Sequence, residues 1–127
     1  MNGTDDPGCQ GTDGVLYAYQ KALNGTKLAG PTYFCKFFEK VRSEIVENLT
    51  RNGLEGNLVF SVAIIITDGN IHDMDETRSL LVEMSRMPFS VVVVGIGQGD
   101  FENMKILDAD EQVLTSKDGK KAVRDIL

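Results

Sequence analysis

The sequence predicts an α/β fold built on an open parallel sheet, and residues 58 to 96 carry that prediction. Leu58-Val59-Phe60-Ser61-Val62-Ala63-Ile64-Ile65-Ile66 is a nearly continuous apolar run rich in β-branched residues. It shows no inside/outside alternation, the pattern of a strand covered on both faces. Phe89-Ser90-Val91-Val92-Val93-Val94-Gly95-Ile96 repeats it. Between the two runs, Leu80, Leu81, Met84 and Met87 recur at helical spacing and Pro88 ends the stripe. Asp73, with Glu76 three residues on, forms a capping arrangement at the start of that helix. Strand, helix and strand at this spacing make a βαβ unit, whose strands are parallel neighbours joined by a right-handed crossover.

The remaining elements follow in chain order. Val15, Leu16, Tyr19, Ala22 and Leu23 mark a helix that opens at Thr12 or Asp13 and stops at Asn24-Gly25. A second helix is predicted from Thr32 to about Asn52, with the stripe Phe34, Phe37 or Phe38, Val41, Ile45 and Leu49, and Gly53 as its stop. Downstream, Asp100 caps a short helix carrying Phe101, Met104 and Leu107. Gln112 to Thr115 makes one more short strand, and Ser116-Lys117-Asp118-Gly119 is a turn. No repeat, low-complexity tract or linker divides the 127 residues, a length that fits one domain with one core.

Composition narrows the function. Hydrophobic residues are 42% and charged residues 25%, which excludes a disordered chain. Thirteen Lys and Arg against nineteen Asp and Glu leave a net charge of -6, with no basic cluster longer than Lys120-Lys121. Such a surface repels polyphosphate backbones, so nucleic acid is excluded as a partner, and anionic lipid is contacted poorly by these residues alone. No stretch approaches the roughly 18 uninterrupted apolar residues of a membrane span, and Met1-Asn2-Gly3-Thr4-Asp5-Asp6 lacks the basic and apolar regions of a signal peptide. A soluble, cytoplasmic chain is expected, with Cys9 and Cys35 as reduced thiols. Three Asn-x-Thr sequons, at Asn2, Asn24 and Asn48, carry no weight without a signal peptide.

In an open parallel sheet, ligands bind beyond the carboxyl ends of the strands. The first apolar run ends in Thr67-Asp68-Gly69. A carboxylate there can ligate a hard cation such as magnesium, or can cap a turn. Thr32, at a predicted helix start, reads as an N-cap whose hydroxyl can equally be an oxygen ligand. The acidic run after Asp68 fails the EF-hand spacing, because Asp73 stands at the glycine position and Ser79 at that of the closing glutamate. Gly95-Ile96-Gly97-Gln98-Gly99-Asp100 has the setting of a phosphate loop, yet no Lys-Ser or Lys-Thr follows and Asp100 opposes an anion. A small-residue turn explains it better. The one histidine, His72, lies in a polar loop with no Ser or Cys in a nucleophile context beside it, and Asp108, Asp110 and Glu111 read as a solvated loop.

Several segments resemble the copine family. These are Ile64-Ile65-Ile66-Thr67-Asp68-Gly69-Asn70-Ile71-His72-Asp73-Met74 and Met87-Pro88-Phe89-Ser90 with the strand and Gly95-Ile96-Gly97 through Phe101 after it. Asp6-Pro7-Gly8-Cys9, Gly14-Val15, Ala18-Tyr19, Gly30-Pro31-Thr32 and Arg124-Asp125-Ile126 stand in the family's order. Gly30 to Phe34 is also similar to the copine-type domain of plant ubiquitin ligases. The resemblance implies a three-layer, doubly wound, mainly parallel von Willebrand factor A-type domain, Rossmann-like, of which residues 1–127 are a part lacking the first strands. It places Thr32 and Asp68 on the threonine and aspartate of a metal-ion-dependent adhesion site for Mg2+ or Mn2+. The site's Asp-x-Ser/Thr-x-Ser motif is expected upstream, since Asp75-Glu76-Thr77-Arg78-Ser79 fits the letters but falls inside a helix.

The implied function is a non-catalytic protein-interaction module in a protein that binds phospholipid through Ca2+-dependent domains lying upstream, cytoplasmic with calcium-dependent peripheral membrane association. The alternative is a magnesium- and nucleotide-dependent hydrolase using Asp68 and the Gly95-Asp100 loop. A strand at 58 to 67 left with an unpaired edge is expected either to form a homodimer or to take residues 1 to 12 against that edge.

Overall fold

The computed structural model describes residues 8–53, 56, 59–108 and 112–127. The described elements are α1 (Gly11–Gly25), α2 (Cys35–Gly53), β1 (Ser61–Thr67), α3 (Met74–Met84), β2 (Phe89–Gly95) and α4 (Glu102–Asp108). They fall into two compact units, residues 1–30 and residues 31–127. In the first, α1 begins and ends within two residues of the predicted limits and carries no buried residue. Val15, Leu16, Tyr19 and Leu23 are all exposed.

In the second unit the predicted βαβ motif is present. β1 and β2 pair in parallel, from Ser61 opposite Phe89 to Thr67 opposite Gly95. The ladder is prolonged at its ends by Ser61 N–H donating to the Pro88 carbonyl at 2.9 Å and Ile96 N–H to that of Thr67 at 2.8 Å. The α/β class with a parallel sheet is therefore as the sequence predicts. Residue 58, at the start of the predicted first strand, lies outside the described residues, as do residues 1–7 of the segment expected against its edge.

One core joins α2, α3, α4 and the inner face of the sheet. Phe34, Phe38 and Ile45 of the α2 region meet Leu80, Leu81 and Met84 of α3, Phe89 and Val91 of β2, and Met104 and Leu107 of α4. The alternatives at the second helix resolve on Phe38, which is 1% exposed while Phe37 remains on the surface. Phe38 packs edge-on against Phe89 with ring centroids 6.4 Å apart, the geometry aromatic quadrupoles favour. Arg42 of α2 and Glu83 of α3 bridge the helices at 3.1 Å. Exposed at both ends, this pair adds little.

Two expectations need correction. The first strand does not show two covered faces, since burial alternates along it. Ala63 and Ile65 turn to the core, while Val62, Ile64 and Ile66 are exposed together with Val92 and Val94 of β2. The unbroken apolar run reports that both faces are apolar; coverage depends on what packs there. The strand predicted at Gln112 to Thr115 is reduced to one antiparallel bridge, Thr115 with Lys121, because the turn at Ser116 folds the chain straight back. Beyond it the last residues lie along β2. Val91 N–H donates to the Ile126 carbonyl at 2.6 Å, and the Arg124 guanidinium donates to the carbonyls of Met87, at 2.8 Å, and Phe89. Cys9 and Cys35 are not joined in a disulfide.

Candidate functional site at the strand ends

The loop after β1 opens with a turn closed by Gly69 N–H donating to Thr67 Oγ1 at 3.2 Å. Gly69 has φ 116°, a left-handed conformation that side-chain-bearing residues rarely adopt, and a Cβ on it would run into the carbonyl of Asp100. Gly99, from the loop after β2, approaches the Asp68 carbonyl so closely that no Cβ fits there either. The Phe101 ring lies against Gly95, where a Cβ would stand 2.7 Å from it. Glycines at these positions let the two strand-end loops rest directly on one another, and the Asp68 side chain is exposed.

Asp100 caps α4 as predicted, accepting the Glu102 N–H at 2.9 Å. The loop proposed as a phosphate cradle is thus occupied by its own contacts. Its glycine backbone is pressed on Asp68, and its carboxylate holds the helix start that a phosphate would need.

Thr32 is placed differently from the expected cap. Helix α2 begins at Cys35, and its first amides are capped by Asp73, whose carboxylate oxygens accept Phe34 N–H at 2.9 Å and Cys35 N–H at 2.7 Å. A buried carboxylate at a helix N-terminus satisfies orphan donors and opposes the helix dipole. Asp73 makes no side-chain cap on α3, the helix it precedes, so the capping arrangement with Glu76 is not formed. Thr32 itself is tied to the strand-end loop through His72. Its N–H donates to His72 Nδ1 at 3.1 Å, and its carbonyl accepts His72 N–H at 3.1 Å. Thr32 and Asp68 are therefore linked through the loop Asp68–Asp73, and both are exposed.

The other candidates are engaged elsewhere. Asp75 of the Asp-x-Thr-x-Ser letters pairs with Lys117 at 3.0 Å, and Ser79 Oγ donates to the Asp75 carbonyl within α3 at 2.9 Å. Thr77 is fully buried. Burial, then the charges of Glu39 and Asp73, push the Cys35 thiol above its usual range, which disfavours a thiolate nucleophile despite its place at a helix start. Asp110 and Glu111 lie outside the described residues.

The copine family model matches residues 1–127. The chain belongs to the copine family. It is similar to Copine-C of Dictyostelium discoideum, 39% identical over 121 residues, a match that covers 95% of this chain and 22% of the length of that relative. In this copine chain the hydroxyl of Thr32 and the carboxylate of Asp68 are hard oxygen donors of the type magnesium takes. Magnesium demands near-octahedral coordination by about six oxygens. Among the described residues no group of three or more His, Cys, Asp or Glu could hold a metal. Sequence reasoning missed His72 and Asp73 as partners of Thr32 and α2, because these bonds join residues 38 to 40 positions apart and leave no local pattern.

Proposed function

We propose that this chain is a non-catalytic protein-interaction module, presenting an incomplete metal-ion-dependent adhesion site with Thr32 and Asp68 as its oxygen donors. The observation that supports this reading is the prior engagement of the polar groups around Asp68. His72 Nδ1 accepts the Thr32 N–H, Asp73 caps α2 and Asp100 caps α4. That leaves a surface with an exposed carboxylate and hydroxyl, suited to meeting a partner protein.

Membership of the copine family supports the wider reading that the whole protein binds phospholipid in a calcium-dependent way, through domains outside these 127 residues, and so reaches membranes from the cytoplasm. No helix among the described residues is long and apolar enough to cross a membrane. Two copies pairing through the β1 edge are also part of the proposal.

Titration calorimetry tests it. Magnesium or manganese is expected to bind more weakly than micromolar, since two protein donors cannot replace the ion's water shell. Micromolar or tighter binding contradicts the incomplete site. Saturable nucleotide binding that disappears in Asp68→Ala would replace the module with the hydrolase.

A further inference from the structure

We infer that His72 and Asp73 are positioning residues: they clamp the segment before α2 onto the loop after β1 and so set where Thr32 stands relative to Asp68. The inference rests on reading Thr32 and Asp68 as the donors of the strand-end surface. Four hydrogen bonds make the clamp, two between Thr32 and His72 at 3.1 Å each and two from Phe34 and Cys35 to Asp73 at 2.9 and 2.7 Å. Asp73 is 8% exposed, and a buried carboxylate that accepts two amides is held far more firmly than a surface one. Its side chain serves α2 while α3, which it precedes, goes without a side-chain cap.

The two donors are anchored from different sides. Asp68 is fixed from the sheet, by the Thr67–Gly69 turn and the Gly99 contact, and Ile71, between Asp68 and His72 in sequence, anchors the loop in the core. Among the described residues Thr32 makes no hydrogen bond to the sheet, and the bonds to His72 hold it to this loop, reinforced two residues on by those to Asp73. Loosening the clamp therefore releases Thr32 and leaves Asp68 in place.

Amide exchange measured by NMR on the full 127-residue chain tests this. In His72→Ala the Thr32 amide is expected to exchange roughly fivefold faster or more, the loss of one hydrogen bond of ordinary strength. Amides of the β1–β2 ladder keep their rates. His72→Asn restores protection, because its Oδ1 stands where Nδ1 stood. Asp73→Ala speeds exchange at Phe34 and Cys35; if it fails to fold, the His72 pair still decides. A second measurement follows broadening of the Thr32 and Asp68 signals by manganese. Broadening at Asp68 that persists in His72→Ala while broadening at Thr32 falls is the expected split. An unchanged Thr32 rate in His72→Ala overturns the clamp, and so does equal broadening of both signals in every variant. If manganese broadens neither signal in the unmodified chain, the reading of Thr32 and Asp68 as donors falls, and the exchange rates alone decide the clamp.

Discussion

Gly99 is not in the left-handed region, so its backbone is open to any residue; the Asp68 carbonyl is what excludes a side chain there. A Cβ has to push the Asp68 turn or its own loop aside, and neither is free to yield. Gly69 is seated against Asp100, and the Ile96 N–H is bonded to the Thr67 carbonyl. Gly99→Ala is therefore expected to cost about 1–3 kcal/mol, the usual range for forcing extra carbon into a packed site. A urea titration measures the loss, and amide shifts should concentrate at residues 67–73 and 97–101. An unchanged midpoint with shifts confined to Gly99 itself would mean that the two loops are not in register with one another. The place of Asp68 at the strand end was legible at this scale because Thr-Asp-Gly at the end of an apolar run is a local signal. The roles of His72, Asp73 and Gly99 were not, since each depends on a neighbour from another element.

The turn at Ser116–Lys120 shows why one predicted element shrank and what holds its replacement. Ser116 N–H donates to the Lys120 carbonyl at 2.8 Å, and Ser116 Oγ accepts Lys120 N–H at 3.0 Å and donates to Asp118. Those bonds close the chain tightly, and beyond them the pairing is the Thr115–Lys121 bridge with Ala122 N–H donating to the Leu114 carbonyl at 2.9 Å. Asp118 supplies the charge, and hydrogen bonding to Lys120 first and Ser116 second holds its carboxyl down to about 2 from the ordinary 3.8. A folded value below the unfolded one means that the contribution is complete above pH about 4 and fades as the pH falls toward 2. An NMR titration should place the Asp118 midpoint near 2, with Ser116→Ala raising it; a midpoint at the ordinary value would show that the turn does not use the carboxylate. Elements with long, regular apolar patterns, α2, α3, β1 and β2, were legible in the sequence to within a few residues. The start of α2 was displaced from Thr32 to Cys35 because a distant carboxylate sets it, and the strand at 112–115 was misjudged because side-chain bonding to Ser116 overrode a weak extended preference.

At the scale of the molecule, the sheet is where the sequence and the observed packing part. Val62, Ile64 and Ile66 share one face with Val92 and Val94, and these five residues are 42% to 67% exposed. A sheet of two strands is marginal by itself, and the unit from residue 31 onward is held by the core on the opposite face. Among the described residues β1 has β2 on one edge and no strand on the other. An apolar face next to an open edge favours pairing with another chain, because both the backbone groups and the β-branched side chains gain partners at once. The 127-residue chain is therefore expected to self-associate, with sedimentation velocity showing a monomer–dimer equilibrium that moves toward dimer as concentration rises. Ile64→Lys places a charge on the exposed face without touching the core, so it should shift that equilibrium to monomer while the thermal midpoint changes little. Slow amide exchange along both edges of β1 in a chain that stays monomeric at every concentration would refute the association, since it would mean that the open edge is already paired.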